Sequence, residues 1–304
     1  MSDIIRIGTR GSPLAIMQAR ETRSRLMGAS GLSEEMFEIV AIKTTGDMVQ
    51  TRPLSEIGGK GLFTKELEEA LTAGSIDLAV HSMKDMPAHL PNGLEITAVL
   101  PREDVRDAFI SFAAKDLRGL PEGARLGSSS VRRTAQALRV RPDLAPLPFR
   151  GNVQTRLQKL KNGVADATFL AVAGLKRLGL ATHITSFVEV DEMLPALAQG
   201  AIAIQMAKAS RFAELVAKID HIESHLAVSC ERAFMAALDG SCRTPIAGYA
   251  IVQNGALAFR GEALTLDGRH VFNAARQGAI TDAKRMGHEA GEEVRRNGGT
   301  LLTL

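Results

Sequence analysis

The chain is predicted to be an α/β protein, and three observations carry that class. Ile4–Gly8 is a strand that hands over to a helix through Thr9-Arg10-Gly11-Ser12-Pro13, and this strand–turn–helix unit recurs along the sequence. Charge density rises at Pro101–Asp107, after which the rhythm restarts, as expected at a crossing between domains. From about Asp220 the pattern changes to a helix, three alternating strands and a closing helix, a compact α+β unit. At 304 residues, two or three domains are expected. The boundaries fall at residues 1–100 with 198–219 for a discontinuous first domain, 101–197 for the second and 220–304 for the third.

In the first domain, Ser12 suits an N-cap and Pro13 a first helical residue for the run Leu14–Met27. Arg10 and Ser12 therefore lie where a strand meets a helix N-terminus, a ready anion site, although a turn needing only Gly11 and a cap reads the same way. Phe37–Lys43 is a second strand. The long segment Thr44–Gly61 follows, and its Gly58-Gly59-Lys60-Gly61 predicts a mobile loop closing over a ligand without matching a Walker phosphate loop. Helix Thr64–Ala73 ends at Gly74. The buried strand Asp77-Leu78-Ala79-Val80 then breaks into His81, Ser82, Lys84 and Asp85. Ligands of open α/β sheets bind beyond the carboxyl ends of strands, so this polar burst marks a candidate site. Asp85 suits acceptance from an N–H ligand or stabilisation of a developing cation. A solvated loop with a chance ion pair is the competing reading. Leu94–Leu100 is the next strand.

Beyond the crossing, Arg125-Leu126-Gly127 enters Ser128-Ser129-Ser130-Val131-Arg132-Arg133 and a helix to about Arg139. Serines and arginines at a helix start offer N–H groups, hydroxyls and guanidinium forks to a carboxylate or phosphate. Strand Leu144–Phe149 leads to Arg150-Gly151-Asn152, with Asn152 as N-cap and Arg156 one turn into helix Val153–Lys161. Strand Asp166–Ala171 precedes the helical Val172–Leu178. Three strand ends thus present arginine with Gly, Ser or Asn: Arg10, Arg132 with Arg133, and Arg150 with Arg156. That repetition points to a ligand bearing several negative charges in a cleft. The apolar run Leu194–Met206, with Gln199-Gly200 at its centre, reads as the strand returning to the first domain, followed by helix Arg211–Lys218. In the tail, Ser224–Leu238 is an amphipathic helix with Cys230 on its packed face. Ile246–Val252, Ala256–Glu262 and Val271–Ala275 are strands, and helix Thr281–Asn297 packs a face of Ala279, Ala283, Met286 and Ala290.

Composition narrows the function classes. Hydrophobic content of 45% and charged content of 23% are those of an ordinary globular protein, and the net charge is only +3. One Tyr and no Trp leave no stacking platforms for single-stranded nucleic acid. Basic residues gathered in pockets would instead favour small acidic ligands. Cys230 and Cys242 show no metal-ligand spacing, so no metal is expected, and two free thiols suit a reducing compartment. No signal segment or bilayer-length apolar run is seen, and a cytoplasmic protein away from membranes is expected. Cys242, in a Gly/Ser loop beside Arg243, reads either as a nucleophile or attachment point or as a small apolar side chain under a loop.

Taken together, IGTRGSPLA from Ile7, GGKGLFTKELE from Gly58, AVHSMKDMP from Ala79, GSSSVRR from Gly127, FRGNVQTRLQKL from Phe149, ATFLAVAGLKRLGL from Ala167 and DGSCRTPIAGYA from Asp239 resemble the porphobilinogen deaminase (hydroxymethylbilane synthase) family over nearly the whole chain. The resemblance implies two α/β domains like type II periplasmic binding proteins, joined by hinge strands, plus a small α+β domain carrying a cofactor thiol. The implied reaction is head-to-tail condensation of four porphobilinogen molecules with loss of ammonia, then hydrolytic release of hydroxymethylbilane. Cys242 matches the cysteine holding a dipyrromethane primer by a thioether, and Asp85 the catalytic aspartate. Arg10, Ser12, Lys84, Ser130, Arg132, Arg133, Arg150 and Arg156 match residues that grip acetate and propionate groups. Lys60 falls in the active-site loop, Phe63 near the pyrrole rings, and Gln199 among the binding positions. The family is generally monomeric. Gln205, where the family usually has Glu, and Ser241, often Gly, depart from its pattern. The rival reading is a non-catalytic bilobal binding protein for a small polycarboxylate, which leaves Cys242 and the third domain without a role.

Overall fold

The computed structural model describes residues 4–48, 61–239 and 244–302. The chain divides into two compact units. The first holds the described parts of Met1–Val49, Gly59–Glu103 and Gly200–His225. Its five-stranded sheet has β1 (Ile5–Arg10) parallel to β2 (Phe37–Ile42) and to β3 (Leu78–Ser82). β10 (Ile202–Ala207) runs antiparallel to β3 on one side and to β4 (Leu94–Val99) on the other, giving the order β2-β1-β3-β10-β4. Strands covered on both faces read as continuous apolar runs. Helix α1 (Pro13–Ser30) buries Ala19 and Leu26 against Ile5, Ile7, Leu78, Val80 and Ile204. A second cluster joins Leu67 and Leu71, on α3 (Lys65–Thr72), to Ile76 and Ala79. α1 starts where the sequence requires it: Ser12 Oγ accepts from the Ala15 N–H at 3.3 Å, and Pro13 opens the first turn.

The second unit holds the described residues of Asp104–Gln199 and Leu226–Leu304. β6 (Arg125–Gly127) is parallel to β7 (Ala145–Leu147) and β8 (Ala167–Ala171). β5 (Asp107–Ser111) runs antiparallel between β8 and β9 (Ser186–Val188), so the order is β7-β6-β8-β5-β9. The two orders are the same once strands are matched by role. In each sheet the antiparallel insert is the strand that directly follows a crossing, at Glu103–Asp104 for β5 and at Gln199–Gly200 for β10. Each sheet thus takes its antiparallel strand from the chain just after it crosses from one unit to the other. Gly200 has no substitute there: its φ is +88°, and a Cβ would stand 2.4 Å from the Glu103 carbonyl oxygen.

The second unit also contains the antiparallel sheet β11 (Ile246–Gln253), β12 (Ala256–Leu264) and β13 (Val271–Ala279). α8 (Ile222–Ala237) and α9 (Ala283–Gly298) pack with it around Phe234 and Phe259, edge to face at 5.1 Å. Gly287 of α9 lies so close to the Cys230 carbonyl of α8 that a Cβ would sit 2.0 Å from it.

Several expectations change in detail. The strand expected over Leu194–Met206 is confined to Ile202–Ala207, because Ala198 (φ 60°) and Gly200 adopt left-handed backbone that a strand cannot contain. β5 escaped notice because it begins with a carboxylate inside a charged run, yet all five of its residues are buried. The Thr44–Gly61 segment includes a short helix, α2 (Thr45–Met48). Ala279 is exposed at the end of β13 rather than on the packed face of the closing helix.

Candidate active site

In the first unit the site is built at the carboxyl ends of β1 and β3. Arg10, the last residue of β1, stacks its guanidinium 4.1 Å from the centre of the Phe63 ring. The same guanidinium pairs with Asp47 of α2 and places Nη1 3.7 Å from Asp85 Oδ2. Burial acts to raise the Asp47 carboxyl, but hydrogen bonds from Arg10 and Thr44 outweigh it and hold the group below the usual carboxylate range. Asp85 ends the 3-10 turn Met83–Asp85 that follows β3, and its side chain keeps 34% of its exposure. Lys84 is exposed on that turn. Gln18 of α1 donates to Ser82 Oγ at 2.9 Å. Arg10, Ser12, Gln18, Phe63, His81, Ser82 and Asp85 thereby line one pocket of about 60 Å³. A space of that size takes a ring edge or a few waters rather than a whole polycarboxylate. It offers one exposed carboxylate, a guanidinium whose other side is already neutralised, and an aromatic wall.

In the second unit, the corresponding strand ends behave differently. Ser130 caps α4 (Val131–Val140), accepting from the Arg133 N–H at 3.4 Å. Arg132 and Arg133 turn inward and are almost wholly buried. Their Nη2 atoms lie 2.8 and 2.6 Å from the two oxygens of Asp107 at the start of β5, which has no exposed side-chain surface. Burial acts to raise Asp107, and the two guanidiniums overturn that, holding it far below the usual carboxylate range. Gln199 Nε2 adds hydrogen bonds to Asp107 Oδ1 at 2.9 Å and the Val105 carbonyl at 2.8 Å. The carboxylate that the sequence led one to expect from a ligand is thus supplied to Arg132 and Arg133 by the protein. Arg150 and Arg156 are half-buried at the start of α5 (Val153–Lys161), where Asn152 caps the helix at 2.8 Å from the Thr155 N–H. Arg156 Nε donates to the Gly151 carbonyl at 3.0 Å.

Lys60 and Cys242 lie outside the described residues. Cys230 does not: it is fully buried, and burial pushes its thiol up to about 12. Residues absent from the sequence-based set are Asp47, hidden in a glycine-rich segment, and Asp107, hidden in a charged one. Gln18 carried no signal, being one polar position on an otherwise ordinary helix. Among the described residues no helix is long and apolar enough to cross a membrane, and no group of His, Cys, Asp and Glu is arranged to hold a metal ion.

Two α/β sheets of one order, one ending in an open acid–arginine pocket and the other in arginine-rich helix starts, define the class of protein. Family models make it specific. "Porphobilinogen deaminase, dipyromethane cofactor binding domain" matches residues 5–214, and "Porphobilinogen deaminase, C-terminal domain" matches residues 225–296. The chain belongs to the porphobilinogen deaminase family. It is 58% identical over 292 residues to the porphobilinogen deaminase of Paracoccus denitrificans (strain Pd 1222), covering 96% of this chain and 93% of that one. It is 54% identical over 298 residues to the chloroplastic porphobilinogen deaminase of Pisum sativum, covering 96% and 81%. Among solved structures, the periplasmic VFT2 domain of Bordetella pertussis BvgS aligns with a TM-score of 0.41 at 16% identity, over 72% of this chain and 87% of that one, a likeness on which nothing here rests.

Proposed function

We propose that the chain condenses four porphobilinogen molecules head to tail, with loss of ammonia, on a dipyrromethane primer, and then releases hydroxymethylbilane by hydrolysis. The observation that carries this reading is the pocket at the end of β3, where a one-third-exposed Asp85 lies beside Arg10 and Phe63 around a space that admits a ring edge. Asp85 accepts hydrogen bonds from pyrrole N–H groups, and its fixed charge favours the positive charge that spreads over a pyrrole as ammonia departs. Arg10, Lys84, Arg150 and Arg156, with Ser12 and Ser130, take the acetate and propionate groups. Phe63 flanks the rings, and Lys60 joins the ligand-binding set. Arg132, Arg133 and Gln199 act from within the Asp107 cluster, shaping the start of α4 and contributing whatever edge of their forks a ligand reaches.

The donor set fits the primer. A dipyrromethane carries N–H groups that need an acceptor and carboxylates that need cations, and the strand ends offer both. When bound, the primer supplies the nucleophilic pyrrole carbon to which the next unit joins. Of the two cysteines, Cys230 is buried with its thiol pushed up to about 12, so the thioether falls to Cys242. We assign residues 220–304 to a third domain carrying that attachment, supported by its own sheet and its own core around Phe234. Residues 1–100 with 198–219 and residues 101–197 form the other two. We further propose a monomer acting in the cytoplasm without a metal, in line with an unpaired, buried Cys230. A non-catalytic binder of a polycarboxylate is not favoured, because it leaves the matched C-terminal domain without a role. The test is to incubate the purified chain with porphobilinogen and follow its loss, the ammonia released and the hydroxymethylbilane formed. Binding without ammonia release would refute the reading.

A further inference from the structure

Arg10 stands between two carboxylates at the pocket, Asp47 and Asp85, and its two links are unequal. Asp47 of α2 takes the guanidinium edge-on: Nε donates to its Oδ2 at 3.3 Å and Nη2 to its Oδ1. Thr44 Oγ1 donates to the same Oδ2 at 2.8 Å. The remaining nitrogen, Nη1, stops 3.7 Å from Asp85 Oδ2, beyond hydrogen-bond distance. The guanidinium also stacks 4.1 Å from the centre of the Phe63 ring. The place of Asp47 is itself built. The Thr45 N–H donates to Glu66 Oε1 of α3 at 2.8 Å and the Gly46 N–H to the Leu62 carbonyl at 2.9 Å, which pins α2 to the turn that carries Phe63. Despite its burial, the hydrogen bonds from Arg10 and Thr44 hold the Asp47 carboxyl below the usual range, so it stays ionised.

We propose that Asp47 is a positioning residue: by holding the Arg10 guanidinium it keeps that group from closing on Asp85, and so leaves Asp85 free to act on the substrate. The reaction meant here rests on the porphobilinogen reading above. Arg10, Asp47 and Asp85 together carry one net negative charge, whereas Arg10 and Asp85 alone would cancel. A fixed carboxylate favours a developing cation only while no nearer counter-charge neutralises it. The gap to be closed is small, since a shift of about 1 Å would turn the Arg10–Asp85 approach into a charge-assisted hydrogen bond. Asp47 also limits what Arg10 offers a ligand. With Nε and Nη2 engaged, an incoming carboxylate meets Nη1 rather than the full fork, and is held less tightly than a bare arginine would hold it. Losing Asp47 should therefore weaken the transition state without weakening the bound substrate.

The test is Asp47→Asn in the full-length enzyme, a change that keeps the shape and removes the charge. A crystal structure of the variant should show an Arg10 nitrogen within about 3 Å of an Asp85 oxygen. In steady-state kinetics with porphobilinogen, kcat should fall about tenfold while KM stays level or falls. A residue that merely shapes the chain would raise KM instead. A guanidinium that keeps its distance from Asp85, an unchanged kcat, or a kcat lost together with a KM raised more than about twofold overturns the inference. A wild-type chain that consumes no porphobilinogen overturns the substrate reading, and the crystal structure then still decides whether Asp47 holds Arg10 away from Asp85.

Discussion

The two five-stranded sheets share one strand order but end in opposite ways. In the first unit, Asp85 keeps about a third of its exposure and stands 3.7 Å from Arg10, whose firmer partner is Asp47. In the second, Asp107 has no exposure and grips two buried arginines at 2.8 and 2.6 Å. The same residue types, at the same end of two sheets of one order, build an open pocket in one case and a closed internal network in the other. Exposure separates the roles. A buried carboxylate–guanidinium cluster costs much to break because each partner is left uncompensated, whereas a loose, half-solvated pair contributes little to stability and leaves its charge available to a ligand.

Breaking the closed cluster should have the largest effect. Asp107→Asn leaves two buried guanidiniums without a counter-charge and should cost about 3–5 kcal/mol in urea denaturation. A loss below about 1 kcal/mol would mean that the cluster is open to water or ligand, like the pocket. Asp85→Asn should show the reverse pattern, a 10²–10³-fold loss of turnover, estimated as for removing one preorganised transition-state contact, about 3–4 kcal/mol. Its denaturation midpoint should barely move, as expected for a half-exposed pair.

Acid pH should separate the units as well. The folded-state pKa of His81 is lowered to about 4 from 6.5, so the unfolded chain takes up the proton first. The stability it contributes is complete above about pH 6.5 and is lost as pH falls toward about 4, up to about 3 kcal/mol in all. Asp107, held below the ordinary carboxylate range, keeps its contribution until the pH falls below about 4. Urea titrations at pH about 7 and about 5 should therefore differ in wild type and differ less in His81→Asn. The smallest effect compares two helix caps. Ser12→Ala and Asn152→Ala should each cost about 1 kcal/mol. Ser12→Ala should also raise KM for porphobilinogen, since Ser12 lines the pocket as well as capping α1.

Local chemistry made much of this legible in the sequence. Ser12, Ser130 and Asn152 are caps whose meaning depends on the next three residues, and all three cap as their sequences require. The strand before Asp85 announces itself by its apolar run and abrupt polar end. Partners distant in sequence could not be read. Asp107 pairs with side chains 25 and 26 positions away, and a charged run gives no sign that one of its members is fully buried. Gln205 meets His81 across 124 residues, and only the pairing of β10 with β3 brings the two together. The Leu194–Met206 run was read too long because hydropathy does not register a left-handed backbone at Ala198 and Gly200.

The most direct test is the intact mass of the purified wild type beside Cys242→Ser and Cys230→Ala. A covalent adduct equal to two linked pyrrole units should be present in wild type and Cys230→Ala and absent in Cys242→Ser. An unmodified wild type that remains unmodified after incubation with porphobilinogen, or an adduct that survives Cys242→Ser, would contradict the account.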